Sequence, residues 1–280
     1  MYEDKFDSFS AFVEKAETGQ SEMDDSYRSS RDSYCDNWAG GSWLECLNLA
    51  KYGWQAGAEK VEAMAKPLLE QISSRMVKPE IVFDIEGDNV DIGAYMTGNP
   101  ECFIRWQDTE THSNASGRFV HVICNVVASA YFSTEQLFNK GAAVAVMVDA
   151  LEMSGHRVTV DVICNIGPTY SRFGSHDENS NSYLMTARIK NPDDPLNMES
   201  IAFACAHSGT LRRLVFSLEE QAPDYIRRAL SVGHGYGQPI DPRENLDCDI
   251  YVAGSDSSMI RNPLAWAKEQ LIAQGVQFTE

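Results

Sequence analysis

Six histidines (112, 121, 156, 176, 207 and 234) and seven cysteines (35, 46, 102, 124, 164, 205 and 248) are the side chains best suited to proton transfer, nucleophilic attack or soft-metal binding. Their spacing offers little of that chemistry. The two closest cysteines, Cys35 and Cys46, stand eleven residues apart. There is no C-x-x-C and no Cys/His cluster of zinc-finger spacing. Cys124 and Cys164 sit inside apolar runs, where a thiol behaves as a small hydrophobe. His207, in Ala206-His-Ser-Gly-Thr beside a helix start, could serve as a base toward Cys124 or Ser129, and a histidine satisfied within the core explains it as well. The G-x-x-x-x-G-K-[ST] phosphate loop, G-x-G-x-x-G after a strand, the G-x-S-x-G elbow and H-E-x-x-H are all absent. Gly233-His-Gly-Tyr-Gly237 lacks a following helix to aim its amides at a phosphate, and reads as a flexible loop. Asp256 with loop acids such as Asp177 or Glu178 would make a metal-assisted hydrolase if two carboxylates met on one ion. The basic pairs Arg212-Arg213 and Arg227-Arg228 read as solvated helix surface, with an accessory role in a nucleic-acid complex as the other option.

What positions these residues follows from composition and pattern. At 280 residues with 43% hydrophobic content, the chain can bury one large α/β domain or two small ones. Lys+Arg is 23 and Asp+Glu is 41, so the formal charge of −18 disfavours direct capture of nucleic acid and favours a protein partner with a basic surface. Apolar runs fall short of the roughly 18 residues that span a bilayer, and the acidic N-terminus has no signal-peptide core. A cytoplasmic protein without membrane association is the expectation, in keeping with unpaired thiols.

Three segments emerge. Residues 1–36 form an acidic arm, with ten acids against four bases and a short apolar face at Phe6, Phe9, Phe12 and Val13. Residues 37–117 combine a helical region with a β-hairpin about Gly87-Asp-Asn; Gly53 stops one helix and Pro67 interrupts the next. The aromatics Trp38, Trp43, Tyr52 and Trp54 pack these helices onto the next domain or form a partner patch. Residues 118–280 read as α/β. The apolar run Phe119–Ala128, a capping box at Ser133-Thr-Glu-Gln136, a helix over 134–153 closed by Gly155, and a strand from Arg157 make a βαβ unit. Val122-Ile-Cys-Asn125 and Val162-Ile-Cys-Asn165 echo one another, as two adjacent parallel strands ending at one edge would. The predicted fold is a three-layer, open, mostly parallel sheet of Rossmann-like type.

The order strand, polar loop, long helix, strand, Gly-Thr at a helix start, then strand and Ser-Asp resembles the von Willebrand factor type A domain. That family holds a divalent ion with a D-x-S-x-S loop, a threonine and a later aspartate. The matching positions here are Asn125 and Ser129 in the first loop, Thr210 and Asp256, with Val127 in place of the first serine. The resemblance implies a degenerate metal site. Asn125 lacks the aspartate's charge and Val127 removes a ligand, so no cofactor is expected, with Mg²⁺ the ion such a remnant would take. The acidic N-terminal helical segment, the Trp38-Ala-Gly-Gly-Ser-Trp-Leu-Glu45 run and this degenerate domain together look similar to uncharacterised proteins carried by phages and mobile elements. The function this implies is a non-catalytic interaction or scaffolding module acting through its carboxyl-edge loops, with the hydrolase and nucleic-acid-accessory readings as alternatives.

Overall fold

The computed structural model describes all residues except 25–26, 73–78, 88, 109–116, 169–181, 241–245, 255–256 and 279–280. In chain order, β1 (Tyr2–Phe6), α1 (Phe9–Thr18), α2 (Asp36–Ala39), α3 (Trp43–Tyr52) and α4 (Gln55–Leu69) lead to β2 (Pro79–Asp84), β3 (Asn89–Val90), α5 (Ile92–Met96) and β4 (Phe103–Asp108). Then come β5 (Phe119–Asn125), α6 (Thr134–Met153), β6 (Arg157–Gly167), β7 (Tyr183–Lys190) and α7 (Met198–Ala206). A π-helical stretch, Thr210–Val215, continues into α8 (Phe216–Gln221) and α9 (Asp224–Leu230). The chain closes with β8 (Gln238–Pro239), β9 (Ile250–Val252), α10 (Ser257–Arg261) and α11 (Pro263–Ala273).

The βαβ unit forms as its residues dictate. Ser133 accepts from Gln136 N–H while the Gln136 side chain reaches back, satisfying two orphan donors at the start of α6. Gly155, at φ +85°, turns the chain out of that helix. The strand order is β1-β7-β6-β5-β9, with β8 added on β6. β5 runs parallel to β6 and β9, and β1 parallel to β7, while β7 and β8 run antiparallel to β6. The result is a mixed α/β fold with a mostly parallel sheet. The two Ile-Cys-Asn tails do lie on neighbouring parallel strands, but two residues out of step: Asn125 sits opposite Ile163, so β6 runs further toward the carboxyl edge. An even offset keeps both tails facing the same way.

Alternate strand residues, among them Val120, Val122, Cys124, Val160, Val162, Cys164 and Ile166, join one core with the buried residues of the helices. Helix α6 is buried nearly all round and packs against α4, α7, α10 and α11. The opposite sheet face carries the buried Asp161 of β6 between the half-buried His121 of β5 and Arg188 of β7, alongside buried Ile123 and Ile163.

The hairpin differs in detail. β2 and β3 both pair with β4, giving the order β2-β4-β3. Ile92–Met96 is a short helix rather than strand, because Asp91 accepts from Ala94 N–H and caps it. The first residues dock: β1 extends the main sheet beyond β7, and α1 buries Phe9, Phe12, Val13 and Ala16. Among the described residues, no helix is long and apolar enough to cross a membrane.

Candidate functional site

The loop leaving β5 crosses the carboxyl edge of the sheet, and its backbone is tied at nearly every step. Val126 N–H donates to Ile163 O at 2.9 Å, and Val127 N–H to Asn125 Oδ1 at 3.1 Å. The Trp38 indole donates to Ala130 O at 3.1 Å, and Arg212 donates to Phe132 O. Lys140, buried in the middle of α6, donates from Nζ to Asn125 O at 2.5 Å and to Gly254 O at 2.9 Å, joining the ends of β5 and β9. From this fixed loop Tyr131 projects into solvent, 97% exposed.

The positions expected to ligate a metal have separate employments. The Asn125 side chain is buried, taking Val127 N–H and donating to Tyr251 OH at 3.3 Å. Ser129 Oγ accepts from Tyr131 N–H at 3.4 Å. Thr210 is buried and donates to Phe203 O at 2.8 Å, tying the π-helical stretch to α7. No hydrogen bond joins any two of the three. Asp256, like Asp177 and Glu178, lies outside the described residues. Among the described residues, no three His, Cys, Asp or Glu side chains are grouped to hold an ion.

Two histidines, His207 and His121, are held by their neighbours. His207 Nδ1 accepts from Gly209 N–H at 3.0 Å, and its ring stacks on Phe203 and meets the edge of Trp54, with centroids 4.9 and 4.6 Å away. Burial pulls its pKa down to about 4, so the ring is neutral. It contacts neither Ser129 nor Cys124. His121 bonds Asp161 Oδ2 at 2.8 Å and Asp247 O at 2.9 Å. Both partners only accept, so both ring nitrogens donate; the Asp161 hydrogen bond is the main reason its pKa is raised. His121 has both ring nitrogens engaged, whereas on His207 only Nδ1 is, and its ring lines a second pocket with Gly40, Trp54 and Phe138.

Beneath the edge loop lies a cavity of ≈ 160 Å³, walled by residues 127–131, Ile166 at the end of β6, the 235–239 segment, and one face of the π/α8 helix. Arg212, Phe216 and Glu219 form that face, at i, i+4 and i+7. The glycine-rich segment is anchored rather than loose. Tyr236 stacks on Phe216 at 4.0 Å, donates to Glu220 Oε1 at 2.7 Å and accepts from Ser29 N–H at 2.9 Å. Gly237, at φ +68°, passes so close to β6 that a Cβ would stand 2.4 Å from Ile166 Cγ2. The Glu219 carboxyl is fully buried, and neither oxygen has a hydrogen-bond partner. Burial, then repulsion from Glu220, holds its pKa well above the usual range, so it is a neutral acid.

Arg212 and Arg213 are interior, not the solvated pair their sequence suggests. Their helical spacing with Phe216 and Glu219 was visible in the sequence, but nothing local marks that face as the inner one.

A family model described as Domain of unknown function (DUF7192) matches residues 1–275. No curated protein and no solved structure matches the chain.

Proposed function

Since the chain belongs to the DUF7192 family, we propose that it is an interaction module that recognises a protein partner of basic surface across the carboxyl edge of its sheet. The observation that carries this reading is Tyr131, almost wholly in solvent on a loop whose flanking backbone is held by Asn125, Trp38 and Arg212. An aromatic presented on a pre-ordered loop loses little conformational freedom on binding, and tyrosine is among the residues that dominate interface energies. The charge of −18 supplies long-range attraction to a basic partner. In this reading residues 118–280 are a von Willebrand factor A-like domain of phage or mobile-element type, in which the Lys140 ammonium replaces an ion between β5 and β9. Seven free thiols suit a cytoplasmic setting.

Site-specific photocrosslinking in the native host tests it, with the crosslinker at position 131 and at Tyr52, another well-exposed tyrosine, as control. One basic protein captured at 131 and not at 52 supports the reading. No adduct at 131, or the same adducts at both positions, overturns it.

A further inference from the structure

His207 carries a donor that the fold leaves without an acceptor. Its ring is more than nine-tenths buried, held between Phe203 and Trp54. Because Nδ1 accepts from Gly209 N–H, the proton of this neutral imidazole sits on Nε2. Among the described residues Nε2 has no hydrogen-bond partner, yet it is not sealed away from solvent as His156 Nδ1 is. The ring lines an open cleft of ≈ 500 Å³ between α4, α6 and the segment after α7. Gly40 keeps the approach to it clear. At φ +82° it sits where a Cβ would stand 3.6 Å from Nε2 and 2.4 Å from Ser208 Oγ.

Three features of this cleft favour negative charge, and each comes from a different element. The first is the Nε2–H itself. The second is Lys60 of α4, which rests 5.9 Å from the centroid of the Phe138 ring and pairs with no carboxylate among the described residues. The third is the start of α6, where Ser133 caps only Gln136 N–H and the amides of Thr134 and Glu135 have no intrahelical acceptor. Trp54, Phe138 and Ala206 make the remaining wall largely apolar. Glu135 is the one acid among the described lining residues, so it offsets Lys60 and leaves room for a single negative charge rather than two. We propose that this cleft binds a small aromatic monocarboxylate, its carboxylate taking His207 Nε2–H and Lys60 and its ring lying against Trp54 and Phe138. Such a ligand gives the unused donor a charged acceptor and covers the apolar wall in one step. The proposal goes beyond the partner reading and does not rest on it, since Tyr131 is no part of this cleft.

The experiment is calorimetric titration of the full chain with benzoate, phenylacetate and indole-3-acetate, against phenylacetamide, acetate and inorganic phosphate. At least one aromatic carboxylate should bind about tenfold or more tightly than each of the three controls, a gap of about 1.4 kcal/mol. Lys60→Gln and His207→Phe should each weaken that binding by about tenfold or more. His207→Phe keeps a ring between Phe203 and Trp54 and removes only the donor. Should that variant fail to melt cooperatively, Lys60→Gln decides alone, because it alters an exposed side chain. The proposal falls if no aromatic carboxylate binds at about 10 mM, if any control binds equally well, or if either variant, folded, binds like the wild type. Crosslinking at Tyr131 reads a different surface, so either idea can fail alone.

Discussion

Glu219 and His207 pull stability in opposite directions with pH. Glu219 has a folded pKa well above its ordinary 4.5, so above pH 4.5 the native chain holds a proton that the unfolded chain has released. Its contribution is complete below 4.5 and is lost as pH rises toward the folded value, at about 1.4 kcal/mol per unit. For His207 the folded pKa is about 4 against 6.5 unfolded, so the unfolded chain binds the extra proton. Its contribution is complete above 6.5 and falls by about 3 kcal/mol as pH drops toward 4. The slopes oppose between 4.5 and 6.5, and above that only the Glu219 slope remains. Urea unfolding of wild type and Glu219→Gln from pH 5 to 8 should therefore show the variant gaining on the wild type as pH rises, by at most about 1.4 kcal/mol per unit. A difference independent of pH would mean that the native carboxyl is ionised. Neither behaviour was legible in the sequence, where His207 stood out only by its place beside a helix start. Pattern reveals which residues share a helix face, while what the helix meets depends on residues 190 or more positions away.

At the scale of elements the sequence was far more readable, because caps and periodicity are local. The capping box at Ser133, the glycine stops after α3 and α6, and the Asn262 cap and Pro263 opening of α11 are each settled within a few residues. Orientation was less so: nothing in Tyr183–Lys190 announces that it runs against β6, and nothing near Lys140 says that its ammonium will close the gap between β5 and β9. Lys140→Met removes two charge-assisted hydrogen bonds and leaves two buried carbonyls, and should cost about 2–4 kcal/mol in denaturant melts. If the ammonium fills the place of an ion, adding Mg²⁺ or EDTA should leave the wild-type melting temperature unchanged; a rise of several degrees with Mg²⁺ would restore the metal reading. Gly141 makes a sharper case of packing against propensity. A Cβ there would lie 2.1 Å from Cys205 O of α7. Gly141→Ala gains up to about 1 kcal/mol of helix propensity, but forcing the helices apart costs about 1–3 kcal/mol. A net loss is expected by thermal melting, and a stabilised variant would show that α6 and α7 separate freely.

For the whole molecule, the least foreseeable feature is what anchors the acidic segment 1–36. Low hydrophobicity and a run of serines point toward a docked or partly disordered arm, and the structure shows the docked one. Its anchors lie elsewhere in the chain: Arg213 gathers the carbonyls of 29, 30 and 32 and the Asp36 carboxylate, Glu220 holds Arg28 and Ser30, and Ser217 donates to Ala16 O at 2.8 Å. β1 meanwhile extends the sheet along β7. Among the described residues, deleting 1–36 would strip every hydrogen-bond partner but Gly41 O from Arg213 and leave Glu220 with Tyr236 alone. An uncompensated buried charge costs about 3–5 kcal/mol, and there would be two, against a total stability of about 5–15 kcal/mol. The truncated chain should therefore lack a cooperative thermal transition where the full chain shows one. Arg213→Met with the arm intact should lose about 3–5 kcal/mol in urea melts, because Asp36 and the gathered carbonyls then lose their donor. Cooperative melting of the truncated chain within a few degrees of the full one would mean that these buried charges find water or new partners once the arm is gone.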